Sequence, residues 1–120
     1  MGQVTLVAGA SVWLCRPDGP PLDGERAAAD VIGDAYGSGA RVIAIPVSRL
    51  GQGFLTLKTR IAGEVIQKFV NYGFKVAFLG DISEAVAASD ALRDFVRESN
   101  RGSQVWFLDD LDALAVRIGG

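Results

Sequence analysis

The segment from Phe54 to Gly102 most constrains the fold, because a helical pattern, an apolar run and a second helical pattern follow one another there. The central run, residues 74–79, is interrupted only by Lys75 near its start. Short runs that are apolar at successive positions are typical of strands covered on both faces of a parallel sheet. Helices on both sides of such a strand predict an α/β architecture.

The same patterns predict further elements on both sides of this segment. We predict strands at residues 4–8, 12–16, 41–47, 74–79 and 104–108, and helices over residues 23–35, 57–71, 89–99 and 110–117. The order β-β-α-β-α-β-α-β-α predicts a five-stranded mixed, mostly parallel sheet with helices on both faces, since crossovers between parallel strands are right-handed. No linker or repeat interrupts residues 1–120, so we predict one domain. This order is similar to that of the SpoIIAA or STAS-type fold of small regulatory domains.

Several predicted boundaries depend on capping residues. Asp23 and Thr56 are predicted to cap the starts of two helices, and either Ser83 or Ser89 to cap a third. Gly73 is predicted to end the second helix in the left-handed conformation that favours glycine. The residues between the third strand and the second helix, 48–53, are interpreted as a loop.

Composition excludes several partners. Twelve basic and fourteen acidic residues give a net charge of −2, which argues against binding to nucleic acid or an anionic membrane. No apolar stretch approaches the roughly 18 residues of a membrane helix. The single cysteine, Cys15, cannot form an internal disulfide and suits a reducing compartment. We therefore expect a soluble, cytoplasmic protein with an inert, buried thiol.

Histidine is absent from the sequence. A Ser-His-Asp or Cys-His nucleophile, a histidine general base and a histidine-containing metal site are therefore impossible from this chain alone. The stretch Gly51-Gln52-Gly53 follows a strand, but Thr56 stands where a dinucleotide fingerprint has its third glycine. No cofactor and no metal are predicted, and an enzymatic role is disfavoured.

The C-terminal half resembles the bacterial family known as domain of unknown function 4180. The resemblance rests on Leu57, Thr59, Ala62-Gly63-Glu64, residues 67–72 (QKFVNY), Gly80-Asp81, residues 92–95 (LRDF) and residues 98–102 (ESNRG). The N-terminal half is similar mainly in the order of its elements and in Asp30. The resemblance implies a small cytoplasmic domain and no particular activity, substrate or cofactor.

Two groups of polar residues are candidate functional surfaces. The first follows the two predicted central strands and consists of Thr56, Lys58, Thr59, Arg60, Asp81 and Ser83. Helix starts at the carboxyl edge of a parallel sheet are where α/β proteins bind ligands, and two cations there could hold an anion. Capping by the hydroxyls and solvation of the cations is the simpler interpretation. In STAS-type domains a regulatory Ser or Thr is phosphorylated at such a position, and Thr59 keeps this hydroxyl but lacks the preceding acid and the following glycine of that motif.

The second group, Glu98, Asn100 and Arg101, lies at the predicted C-terminus of a helix. A helix from Ser89 to Ser99 separates its two ends by roughly 15 Å, so this group cannot easily meet Thr59 within one monomer. Its simpler interpretation is a C-terminal cap in which the Arg101 charge complements the helix dipole.

The sequence thus favours a non-enzymatic regulatory or protein-interaction module, with an unidentified protein partner and a homodimeric state. The alternative is a small-molecule or anion-binding protein, or an enzyme, that uses the edge near Thr59 and Asp81.

Overall fold

The computed structural model describes residues 2–119. Its strands are β1 (Gly2–Val7), β2 (Ala10–Cys15), β3 (Val42–Pro46), β4 (Lys75–Leu79) and β5 (Val105–Leu108). Its α-helices are α1 (Glu25–Ala35), α2 (Gln52–Leu55), α3 (Ile61–Asn71), α4 (Ser83–Ala88), α5 (Asp90–Arg101) and α6 (Leu111–Gly119). The predicted α/β class, with five strands in one sheet and flanking helices, is confirmed.

The strands lie in the sheet in the order in which they occur along the chain, β1-β2-β3-β4-β5. Strands β1 and β2 are antiparallel, whereas β2 with β3, β3 with β4 and β4 with β5 are parallel. The prediction of a mostly parallel sheet needs correction. The sheet is mixed, because the hairpin of β1 and β2, with six residue pairs, is antiparallel and the other strand pairs are parallel.

The hairpin turns through Ala8 and Gly9, whose φ angles are 49° and 82°. Two consecutive residues with positive φ match a type I′ turn, whose twist suits a two-residue hairpin. The predicted connection at residues 9–11 was therefore displaced by about one residue. Alternation along β1 places Val7 in the core and leaves Leu6 exposed.

The two faces of the sheet are covered unequally. Helices α1, α3 and α5 pack on one face, here called the near face, where they contact strand residues such as Ile43, Phe78 and Phe107. A right-handed crossover between neighbouring strands always returns over the same face, so consecutive crossovers stack their helices together. The opposite face, the far face, packs against α6, with Leu114 completely buried.

The near face contains a row of aromatic rings. Phe78 contacts Phe54 edge to face with 5.2 Å between ring centroids and stacks on Phe107 at 4.9 Å. Phe54 belongs to α2, a short helix that overlaps the end of residues 48–53, the segment that the sequence suggested to be a loop. Burying this ring ties the segment between β3 and α3 to the sheet and explains why it is ordered as a helical turn.

Two of the predicted helix caps are confirmed and two are wrong. Ser89 accepts a hydrogen bond from the Leu92 N–H at 3.1 Å, which confirms it as the cap of α5. Gly73 has a φ of 84°, as predicted. Asp23 was the wrong cap, since α1 begins after Gly24 without a side-chain cap. Thr56 was also wrong, because its hydroxyl donates back to the Gln52 carbonyl at 2.8 Å instead of accepting from α3.

Candidate functional site

Thr59 closes a local turn before α3. Its Oγ1 lies 2.6 Å from the Gly53 carbonyl oxygen and 2.8 Å from the Thr56 carbonyl oxygen, and it accepts the Ile61 N–H at 3.3 Å. The hydroxyl therefore joins α2 to the start of α3. Its role in this turn is to organise the backbone.

Asp81 and Ser83 organise the start of α4 in a similar way. The Asp81 carboxylate accepts the Ser83 N–H at 2.8 Å. Hydrogen bonds from the Ser83 hydroxyl and then from its N–H lower the pKa of the Asp81 carboxyl below its ordinary value. The carboxylate is exposed, and its short-range partners lie within its own turn.

The predicted carboxyl-edge group does not converge on one cavity. Thr56 and Lys58 line a cleft of about 390 Å³ that faces α4 and α5. Asp81 and Ser83 line a separate cleft of about 270 Å³. Arg60, with a φ of 67°, lines neither of these and borders the groove over α3. An anion site at this edge stays a prediction, and these residues would have to rearrange to share one ligand.

Asn100, from the second predicted group, binds the backbone of β5. Its Oδ1 accepts the Phe107 N–H at 2.7 Å, and its Nδ2 donates to the Phe107 carbonyl at 3.1 Å. Glu98 and Arg101 form only an exposed ion pair, with 3.6 Å between Oε2 and Nη1. Exposed pairs of this kind contribute little to stability.

Two residues that the sequence analysis did not assign to this region hold the end of α5 in place. Arg117 of α6 donates through Nη2 to the carbonyls of Asn100 and Gly102, and its guanidinium lies 5.3 Å from the centre of the Trp106 ring. The Trp106 indole N–H donates to the Gly102 carbonyl at 2.9 Å. The sequence analysis assigned the charge at this helix end to Arg101. The cation that contacts the last carbonyls is Arg117, which lies 17 and 15 residues away in sequence, so no local pattern indicated it.

The two edge strands of the sheet, β5 and β1, differ in how far they are covered. At the β5 edge, the Asn100 amide already occupies both backbone groups of Phe107. At the β1 edge, Val4 and Leu6 are 44% and 73% exposed. Strand β1 has the sequence GQVTLV, which contains neither a charge nor a proline.

Arg49 is the one charged side chain that is buried among residues 2–119, with 6% of its surface exposed. Its Nε donates to the Pro20 carbonyl at 2.5 Å, and its Nη1 donates to the Arg16 carbonyl at 2.9 Å. It follows β3 in a segment that the sequence analysis treated as a loop, so no local pattern indicated its burial. A cavity that Arg49 shares with β2 and α1 is described below.

Cys15 lies in the same region and is 2% exposed. Burial raises the pKa of its thiol to about 11, although the Arg49 charge acts in the opposite direction. The thiol therefore keeps its proton at neutral pH, when it is a poor nucleophile.

The described part of the chain contains no group of three or more Cys, Asp or Glu side chains placed to hold a metal ion. None of the helices within residues 2–119 combines the length and the hydrophobicity that a bilayer crossing requires.

Comparison with known proteins gives one match. The model of the family described as "Domain of unknown function (DUF4180)" matches residues 7–118. No curated protein and no solved structure matches the chain significantly.

Proposed function

Because the chain belongs to the family Domain of unknown function (DUF4180), whose description states no activity, we propose its function from its surface geometry. It is a non-enzymatic protein-interaction module that forms a homodimer by pairing β1 with β1 of a second copy. The observation that carries this proposal is the difference between the two edges of the sheet. One edge is occupied by a side chain, whereas the other combines an uncharged strand with exposed apolar residues.

Unprotected edges are uncommon in proteins that stay monomeric. Natural sheets carry lysine, proline, bulges or covering elements along their edge strands, and these features discourage association with another sheet. Strand β1 has six residues without charge or proline, and Leu6 is 73% exposed. A second strand would cover these apolar side chains and satisfy the outward backbone groups in one step.

The hairpin geometry indicates which backbone groups point outward. Val7 and Ala10 close a two-residue turn, so they form a pair bonded within the hairpin. Hydrogen-bonded and non-bonded pairs alternate in antiparallel strands. The N–H and C=O groups of Val4 and Leu6 therefore point away from β2, towards the free edge.

These outward groups fit a self-complementary register. An antiparallel pair of β1 strands with Thr5 on the two-fold axis sets Val4 of each copy opposite Leu6 of the other. The two pairs are the hydrogen-bonded ones, and the two exposed apolar side chains cover each other. A two-fold axis produces a closed dimer rather than an open fibre.

A non-enzymatic role is supported by the state of the polar residues. The hydroxyls of Thr56 and Thr59, the Asp81 carboxylate and the Asn100 amide each hydrogen-bond to nearby backbone. The element order and the sequential strand order also support a SpoIIAA/STAS-like architecture, a class of small regulatory domains. The reduced, buried Cys15 thiol is compatible with a cytoplasmic location.

Light scattering over a dilution series tests the dimer. We expect the mass of two chains at high concentration and dissociation on dilution. Leu6→Lys places a charge in the middle of the proposed interface and should give a monomer. Val116→Lys is the matched control, because Val116 is 74% exposed on α6, and it should leave the dimer intact. A constant monomer mass of the wild type would reject the proposal.

A cysteine at the axis tests the register. Thr5→Cys puts two cysteines at a non-hydrogen-bonded pair, where Cα atoms are about 4.5 Å apart, close enough for a disulfide. Mild oxidation should join the two chains covalently. The wild type contains only the buried Cys15 and should stay unlinked. A Thr5→Cys dimer in solution that fails to cross-link would contradict this register.

The alternative, anion binding at the carboxyl edge, has its own test. Thermal denaturation with phosphorylated metabolites should then show saturable stabilisation that Lys58→Ala abolishes. A flat response would favour the protein-interaction module.

A further inference from the structure

A small cavity lies between β2, α1 and the loop at residues 16–21, with a volume of about 170 Å³. Arg49 and Cys15 line it and are buried, whereas Asp30 and Asp34 on α1 line it and are exposed. Trp13 and Val31 provide apolar walls. The cavity therefore combines a buried cation, two exposed carboxylates and an aromatic ring within one small space.

The Arg49 charge is only partly compensated. A guanidinium has five N–H donors, and Arg49 uses two of them on the backbone carbonyls of Pro20 and Arg16. No carboxylate within residues 2–119 lies within ion-pair distance of Arg49. Burying a cation is unfavourable unless it is paired, so an anion that reached the Arg49 guanidinium would be stabilised there.

The free donors of Arg49 have access to the cavity. Its Nη2 forms no hydrogen bond with the described residues. Every fully buried side-chain nitrogen or oxygen in residues 2–119 has a partner, so Nη2, which has none, is not completely buried. Gly19 lies against the guanidinium, since a Cβ there would lie 2.5 Å from Cζ of Arg49. The group is thus held in place with one nitrogen available.

The Asp30 carboxylate restricts which charged groups a ligand of this cavity can carry. The Asp30 carboxylate forms neither a hydrogen bond nor an ion pair within the described chain, whereas its neighbour on the helix, Asp34, already takes part in another interaction. A ligand with only a carboxylate would be repelled by Asp30, and a ligand with only an amine would be repelled by Arg49. A ligand with both groups satisfies both residues.

We propose that this cavity binds a small zwitterion of the α-amino acid class, with its carboxylate on Arg49 Nη2 and its ammonium group on Asp30. The apolar part of the ligand lies against Trp13. A volume of about 170 Å³ is smaller than the roughly 300–1,000 Å³ of pockets for drug-sized ligands, which limits the ligand to a single small molecule of this kind. Binding here does not depend on the pairing of β1 strands.

The test is isothermal titration calorimetry of the full chain with each of the twenty common α-amino acids at millimolar concentration. We expect saturable binding of a subset. Two analogues of the amino acid that binds most tightly then test the two contacts separately. Its amide lacks the carboxylate, and its deamino acid lacks the ammonium group. Both should bind at least about tenfold more weakly, because each leaves a charged partner unpaired.

Variants assign the binding to this cavity. Asp30→Asn should weaken the amino acid about tenfold or more and leave binding of the deamino acid unchanged or tighter. Asp112→Asn, an exposed carboxylate on α6 across the sheet, is the matched control and should have no effect. Arg49→Lys should also weaken binding, since an ammonium cannot reproduce the planar fork of a guanidinium.

The proposal is overturned if no amino acid binds, if the deamino acid binds as well as its parent, or if Asp30→Asn binds like the wild type. Asp30 is exposed, so its substitution decides the question even if the Arg49 variant fails to fold.

Discussion

The side-chain amide of Asn100 is paired with the backbone of Phe107 through two hydrogen bonds, of 2.7 Å and 3.1 Å. An amide that both accepts from N–H and donates to C=O reproduces what a neighbouring strand would offer at that position. The last turn of α5 thus occupies part of the edge of β5. No additional strand can pair there without displacing it.

Asn100→Ala should lower the free energy of unfolding by about 1–3 kcal/mol, because two backbone groups of Phe107 lose their partner. Asn71→Ala is a matched control, since Asn71 is exposed and its side chain bonds only to Gln67. It should change stability by less than about 0.5 kcal/mol. Urea denaturation gives both values, and faster hydrogen exchange at Phe107 should accompany the first. Equal effects of the two variants would contradict this role.

Gly80 is a position where only glycine fits. Its φ is 139°, and a Cβ would lie 2.3 Å from Cγ2 of Val47. Gly80→Ala should therefore destabilise the protein by more than about 1 kcal/mol. Gly63→Ala, within α3, meets no atom within 4 Å and should stabilise it by about 0.5–1 kcal/mol. Thermal denaturation of both variants checks the opposite signs.

The strands were predictable because burial on both faces leaves a direct mark on the sequence. Residues 42–47 and 76–79 are apolar at successive positions, and β3 and β4 are interior strands of the sheet. The short helix α2 was missed because it is stabilised by the contact of Phe54 with Phe78, which is distant in sequence. Propensity over four residues carries too little free energy to predict such a helix.

Leu114 is the central contact of α6 with the far face and is 0% exposed. Leu114→Ala should lower the free energy of unfolding by about 2–5 kcal/mol, through lost burial and the cavity left behind. Val116→Ala, at a position 74% exposed on the same helix, should change it by less than about 0.5 kcal/mol. Chemical denaturation with an unchanged m-value would locate the loss in the folded state. Similar losses for both variants would show that α6 does not cover this face.

Because the Cys15 thiol is buried, we expect the stability of the protein to change at alkaline pH. Burial raises the pKa of its thiol from 9.0 to about 11, so between these values the folded chain holds a proton that the unfolded chain has lost. Stability should therefore fall as pH rises through this interval, by up to about 3 kcal/mol in total. Below pH 9 the contribution is constant.

Cys15→Ala removes this titration while leaving the other alkaline groups in place. The difference in unfolding free energy between wild type and variant should be constant from pH 7 to about pH 9 and then change towards pH 11. Parallel profiles over the whole interval would show that the thiol is not protonated by burial. Urea denaturation at each pH provides the measurement.

The site residues were less predictable than the strands. Capping could be anticipated for Ser89 from its place before an amphipathic helix, because that interaction is local. The burial of Arg49 depends on carbonyls 29 and 33 residues away, which no local pattern reports. The pairing of Asn100 with Phe107 is closer in sequence, yet it requires the turn between α5 and β5 to bring them together.

The position of α6 has a consequence for how the chain is made. Chains leave the ribosome from the N-terminus, and each near-face helix follows the strand that it covers. The far face, including Trp106, receives its cover only when residues 111–119 have been synthesised. A chain halted just before residue 111 would present a nearly complete sheet with one bare apolar surface. Such a nascent chain is a natural substrate for chaperones, and rare interruptions at this point would favour aggregation over folding.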